Sequence, residues 1–231
     1  MVNGVVIDGK THPLIHPGTG EPIRVFGPED TGMEFKAGVG NSRKRTVPVT
    51  LGVVHWTASE VSAAAIFNVL KTRELGVEYV INAFGDLYQF CDQAHVDTAD
   101  AGAANKISWG VEIVSAGVYS SKWAEPNGRT PKLGPRDAYN ASIHGQTVRC
   151  LDFYKDQFAT LCALNKLIAD VVPTYGRAVC TASTVIDWKT FNGAVGHFHI
   201  TTGKLDPGPR PMQKLAYFME TGRLSKPEAN A

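Results

Sequence analysis

An α/β architecture, a central mixed β-sheet flanked by helices, is what the 231-residue sequence predicts. Three observations carry this expectation. Leu51-Gly52-Val53-Val54-His55 is a short apolar run of the kind that buried strands make, and a helical pattern follows it directly. Gly110-Val111-Glu112-Ile113-Val114 is a second such run. The longest helical periodicity, over 148–172, lines up Leu151, Tyr154, Phe158, Leu161, Leu164, Leu167 and Ile168 on one side, as a helix covering a sheet face would.

The elements follow in chain order. Residues 1–47 are rich in Gly, Pro and polar side chains, with short extended runs at Val5-Val6-Ile7 and Ile23-Arg24-Val25-Phe26. They read as an irregular N-terminal extension holding one hairpin, with His12 and His16 in loops. Residues 48–224 form the main domain. Its first strand ends at His55, and Ser59 can cap a helix running to Leu75 and stopped by Gly76. That order puts His55 at a strand's carboxyl end, where sites in α/β sheets collect. Tyr79 to Gln89 reads as hairpin-like. From Val118 to Gly145 the Pro- and Gly-rich composition predicts a long loop able to wall a groove, where Tyr119, Trp123 and Tyr139 would stack on sugar rings or anchor the loop. The helix over 148–172 stops at Pro173, and a last one spans about 211–221. Residues 225–231 read as a flexible tail, and no internal repeat is visible.

Composition narrows the function classes. With 43% hydrophobic and 19% charged residues the chain is neither disordered nor membrane-like. Basic and acidic residues number 23 and 22, so there is no basic field of the kind that neutralises nucleic-acid phosphates. No stretch approaches the ~20 apolar residues of a membrane span, and the start lacks a signal-peptide pattern, so synthesis and retention in the cytoplasm are expected. Cys91, Cys150, Cys162 and Cys180 show no Cys-x-x-Cys spacing, which predicts free thiols, with Cys150 and Cys162 buried in one helical pattern.

Three separated pieces have the chemistry of metal ligands: Val53-Val54-His55-Trp56-Thr57, Gly196-His197-Phe198-His199 and Lys204-Leu205-Asp206-Pro207-Gly208-Pro209. A catalytic zinc site takes three N and O ligands and keeps one position for water. Singly, each piece has a plainer account. His55 could be an edge or core residue, Asp206 a turn former, and His144 a spare ligand candidate or a loop residue. On a strand, His197 and His199 would share a face and could bind one ion together, as in a zinc peptidase of another kind. Glu112, inside an apolar strand, would be costly unless paired or facing a cleft; there it could serve as a buried base, or it could be one half of a salt bridge.

These pieces, with Tyr79-Val80-Ile81-Asn82-Ala83-Phe84-Gly85-Asp86-Leu87-Tyr88-Gln89, Ala101-Gly102-Ala103-Ala104-Asn105-Lys106 and Ser108-Trp109-Gly110-Val111-Glu112-Ile113, run in one order from about Val49 to Leu224. In that order they resemble the zinc-dependent N-acetylmuramoyl-L-alanine amidases, which share a fold with peptidoglycan recognition proteins and phage lysozyme-like amidases. The resemblance implies one Zn2+ per chain on His55, His197 and Asp206, with Glu112 as general base and Lys204 facing the developing oxyanion. It places His199, Tyr79 and Trp56 around the ligands or along the substrate groove. It also implies hydrolysis of the amide joining N-acetylmuramic acid to L-alanine in peptidoglycan or muropeptides, by a monomer with no nucleic-acid partner and no membrane insertion. A phage or prophage endolysin leaving the cytosol through a holin pore fits this best; a cytosolic muropeptide-recycling amidase and a non-catalytic muropeptide-binding module are the alternatives. Many relatives carry histidines where this chain has Glu78 and Asp100, and these two acids read as ordinary surface drift.

Overall fold

The computed structural model describes residues 4–118 and 136–224. In chain order its strands are β1 (Val5–Ile7), β2 (Lys10–His12), β3 (Val25–Phe26), β4 (Arg43–Lys44), β5 (Leu51–Trp56), β6 (Tyr79–Ile81), β7 (Leu87–Gln89), β8 (Val96–Asp97), β9 (Ser108–Ile113), β10 (Ala138–Ile143), β11 (Gln146–Leu151), β12 (Ala178–Val179) and β13 (Gly193–Gly196). Its α-helices are α1 (Pro28–Thr31), α2 (Ala63–Thr72), α3 (Lys155–Val171) and α4 (Pro209–Thr221). Short 3-10 turns cover Gly102–Ile107 and His197–His199.

Seven strands form the central sheet in the order β12-β13-β5-β9-β6-β7-β3. Neighbours from β12 through to β6 are parallel, β7 runs antiparallel to β6, and β3 runs parallel to β7, so the sheet is mixed as expected. Its central strands β5 and β9 are apolar because both faces are covered. One face carries Val54, Trp56, Tyr79, Trp109, Val111 and Ile113 against α3 and α4, which contribute Phe158, Leu161, Leu164, Ile168, Met212, Leu215 and Phe218. The opposite face is split. Val80 packs with Ile66 and Phe67 of α2 on one side, while Leu51, Val53 and Val195 pack with Ala101 and Ala104 on the other. The gap between these two smaller clusters is where β5, β9 and β13 end.

Several boundaries differ from the sequence expectation, each for a local reason. The helix after β5 is capped by Ser62, whose side chain accepts from Ala65 N, and not by Ser59. The long helix begins at Lys155, not near residue 148. Residues 146–151 are instead a strand in a hairpin with β10, paired from Ala138↔Leu151 to Ile143↔Gln146. A two-residue turn with positive φ at His144 (53°) and Gly145 (76°) closes that hairpin, matching the twist of its strands. Cys150 therefore sits on a strand, though it is buried like the other three free thiols. The hairpin also occupies part of the expected loop, and Tyr139 packs in the main core. Tyr119, Trp123 and the tail from 225 lie outside the described residues.

The N-terminal segment is built into the body. It holds a hairpin, but one made by β1 with β2, which takes in His12 as a strand residue and not a loop one, while β3 adds an edge to the central sheet, and Val5, Leu14 and Val25 belong to the main core. Among the described residues no helix is long and apolar enough to cross a membrane.

Candidate metal and catalytic site

Register decides which side chains reach the gap in the split face. His55 and Glu112 are direct partners across the parallel β5–β9 pair, so both project to the same side near the strands' carboxyl ends. β13 stops at Gly196, opposite Val54, which brings His197 alongside His55, their rings 4.5 Å apart edge to face. Asp206 arrives on the turn ahead of α4. Phe198 N donates to its carbonyl at 3.0 Å and Gly208 N donates to Leu205 O at 2.9 Å, so this turn is bound directly to the His197 segment.

The donor atoms of His55, His197 and Asp206 lie within 4.8 Å of one another, and all three residues are buried. The Nδ1 atoms of His55 and His197 are each 3.2 Å from Asp206 Oδ2. A tetrahedral zinc with bonds of about 2.1 Å has ligand atoms about 3.4 Å apart, so this trio needs little movement to accept the ion. The charge balance agrees. Asp206 is held well below the usual carboxylate range: burial opposes this, but the bonds from His197 and His55 outweigh it. Burial likewise works against charging His55, yet Asp100, Asp206 and Glu112 together push it up to about 10. The pocket is thus rich enough in negative charge to hold a buried cation even in the metal-free protein. In His197 burial prevails and the pKa is lowered, which favours the neutral ring a metal requires.

Glu112 faces this trio. Its Oε2 is buried and has no hydrogen-bond partner. Burial pushes its pKa up to about 7, with the positive charge of His55 pulling down, Asp206 and Asp100 pushing up, and Lys204 pulling down. A carboxyl near neutrality can both take and return a proton at working pH. Lys204 is exposed on the rim, and its charge bears on both Glu112 and His197.

Of three other residues expected near the site, His199 sits just behind His197, while Tyr79 and Trp56 are elsewhere. His199 does not share a face with His197, because the chain leaves β13 as a 3-10 turn; its Nδ1 accepts from Gly196 N at 2.9 Å and its Nε2 donates to Ala182 O at 2.8 Å. It braces the backbone just ahead of His197 and, with burial lowering its pKa to about 4, stays neutral. Tyr79 is fully buried on the opposite side of the sheet, bonded to Gln93 and edge-on to Trp109. Trp56 follows His55 in the same strand, so alternation turns it into the main core. The spare candidate His144 binds Thr184 Oγ1 at 3.3 Å and Lys204 O at 3.1 Å, joining the hairpin tip to the Asp206 turn.

Two residues read as surface drift prove to be buried. Glu78 is fully enclosed, accepting from Gly110 N at 2.7 Å and pairing with Arg45 at 3.4 Å. Arg45 in turn donates to the carbonyls of Lys106, Val96 and Ser108. Asp100 places Oδ2 3.2 Å from His55 Nε2. One sequence signal pointed there: Gly110 is a glycine inside an apolar strand, which marks a close approach by another group.

The family profile for N-acetylmuramoyl-L-alanine amidase matches residues 45–209. No curated protein matches the chain significantly. Among solved structures it is similar to the endolysin of the Thermus scotoductus MAT2119 bacteriophage Ph2119, at 17% identity and TM-score 0.51 over 84% of this chain and 97% of that one. N-acetylmuramoyl-L-alanine amidase LysC from Clostridium intestinale URNW gives 10% identity and TM-score 0.51 over 85% and 97%. A mutant endolysin from Bacillus subtilis gives 16% identity and TM-score 0.50 over 86% and 97%. At these identities the structural likeness establishes the α/β fold.

Proposed function

The chain belongs to the N-acetylmuramoyl-L-alanine amidase family, and from that premise we propose that it is a zinc hydrolase cutting the bond between N-acetylmuramic acid and L-alanine in peptidoglycan, in the manner of an endolysin. The observation that carries the zinc-dependent reading is the convergence of His55, His197 and Asp206 beside the unpartnered Glu112. Bound to that trio, zinc would supply a water acidified toward neutrality and a positive charge beside the scissile carbonyl.

The chain's own groups do the rest. Glu112 takes the proton of the attacking water and delivers it to the departing nitrogen of L-alanine, a transfer suited to a carboxyl raised to about 7. Lys204, free to move on the rim, brings its ammonium to the carbonyl oxygen as that oxygen becomes anionic. Because the Lys204 charge also lowers the Glu112 pKa, its removal has a second effect with a definite sign. In Lys204→Met, Glu112 should protonate at higher pH, so the acid limb of kcat/KM should shift upward as kcat falls; a pH profile of both enzymes checks this. A limb that stays in place would detach Lys204 from Glu112.

Mass spectrometry of soluble products from purified peptidoglycan, with zinc-loaded protein and with protein stripped by a chelator, tests the whole reading. Stem peptides beginning at L-alanine, with the glycan left uncut, are expected from the zinc-loaded protein, and no released peptide from the stripped one. Binding to the wall without product would favour a recognition module, and product that survives stripping would remove zinc from the reaction.

A further inference from the structure

We propose that Asp100 is a positioning residue for the metal centre: its carboxylate accepts the Nε2–H of His55 and thereby keeps the Nδ1 of that ring aimed at the ion. The inference rests on the zinc reading above and concerns a residue outside the ligand trio. The two nitrogens of an imidazole lie on opposite edges of the ring, so a group gripping one fixes where the other points. His55 is held in this way, with Asp206 at 3.2 Å from Nδ1 and Asp100 at 3.2 Å from Nε2. The His55 and Asp100 side chains are only 4% and 5% exposed, so water competes little for the bond. A carboxylate on the outer nitrogen also selects the tautomer whose Nδ1 lone pair is free, and makes that nitrogen a better donor to a metal.

The surroundings are shaped to this contact. A Cβ on Gly110 would stand 2.0 Å from Asp100 Oδ2, so the strand carries no side chain where the carboxylate crosses it. The loop bearing Asp100 is fixed on its other side. Ala101 N donates to Asn105 Oδ1 at 2.7 Å, and Ala101 and Ala104 are buried against Leu51, Val53 and Val195. Behind Asp100, the second buried acid Glu78 spends its oxygens on Gly110 N and Arg45, leaving Asp100 as the carboxylate turned toward His55.

The test is the zinc dissociation constant, measured by competition with a chelator of known affinity, for the parent, Asp100→Ala and Asp100→Asn. Outer partners of metal-bound histidines typically contribute about 10- to 100-fold in affinity, and Asp100→Ala should lose that much. Asp100→Asn keeps an oxygen acceptor but no charge, and should lose less than alanine yet at least about threefold. A second readout is independent of turnover: in zinc-loaded parent the His55 Nε2–H should give a slowly exchanging NMR signal, and in Asp100→Ala that proton should exchange rapidly. Affinity in Asp100→Ala equal to the parent would overturn the assignment while leaving the zinc reading intact. Should the alanine variant fail to fold, parent-like affinity in Asp100→Asn overturns it instead. A parent that takes up no zinc would overturn both.

Discussion

Asp206→Ala is expected to leave a folded protein that takes up no stoichiometric zinc and has lost its amidase activity. Asp206 Oδ2 is the atom on which the two imidazoles converge, 3.2 Å from each Nδ1, so its loss takes one ligand and also the anion that aligns the other two. Folding should survive because the turn is held by its backbone: Phe198 N still finds the residue 206 carbonyl and Gly208 N the carbonyl of Leu205. Two buried imidazoles lose a partner, a cost of about 1–3 kcal/mol for the neutral ring and more for His55 while it is charged, though Asp100 still pairs with that ring. Metal analysis of the purified variant, with circular dichroism as a check on fold, decides the matter. A full equivalent of bound zinc in Asp206→Ala would refute this ligand set.

Glu112→Gln is the second large effect and should have the opposite profile: zinc retained, turnover lowered by about 100-fold or more, or about 2.7 kcal/mol of barrier. Glutamine fills the same space on β9 but can neither accept the water's proton nor return it. The variant should be at least as stable as the parent, because a carboxylate whose Oε2 is buried without a partner is a cost to the fold. Raised stability together with depressed kcat and an unchanged zinc content would distinguish a proton-transfer role from a structural one. Unchanged kcat would take Glu112 out of the reaction.

The parts of this site that were legible in the sequence are those whose chemistry is unusual for their setting. His55 ends an apolar strand, Asp206 precedes Pro-Gly, and Glu112 interrupts a run of β-formers, so each stood out by residue type alone. The parts that were hidden depend on which way a strand faces and what lies over it. The resemblance implies Tyr79 and Trp56 around the ligands or along the groove, but a strand's period of two turns both into the core across the sheet. Asp100 and Glu78 looked like surface acids, because their burial comes from an arginine some thirty residues before Glu78 and a strand glycine about ten residues after Asp100. The expected start of the long helix failed for a similar reason. Val148, Leu151 and Tyr154 recur at a helical spacing, yet the His144-Gly145 turn commits 146–151 to cross-strand pairing, where Cys150 and Leu151 are buried.

The contribution of the first residues to the body has a practical side. A shortened protein starting at residue 48 would look, by motif alone, like a complete catalytic unit. It would lack β3, leaving β7 as a bare edge able to recruit strands from other molecules. It would also lack Arg45, stranding Glu78 as an enclosed acid without its counter-ion next to Asp100, the carboxylate that holds His55. Such a preparation should clump and bind zinc poorly, and its inactivity would say nothing about the chemistry; attempts to graft this enzyme onto other targeting modules should therefore keep the leading segment and join at the far end.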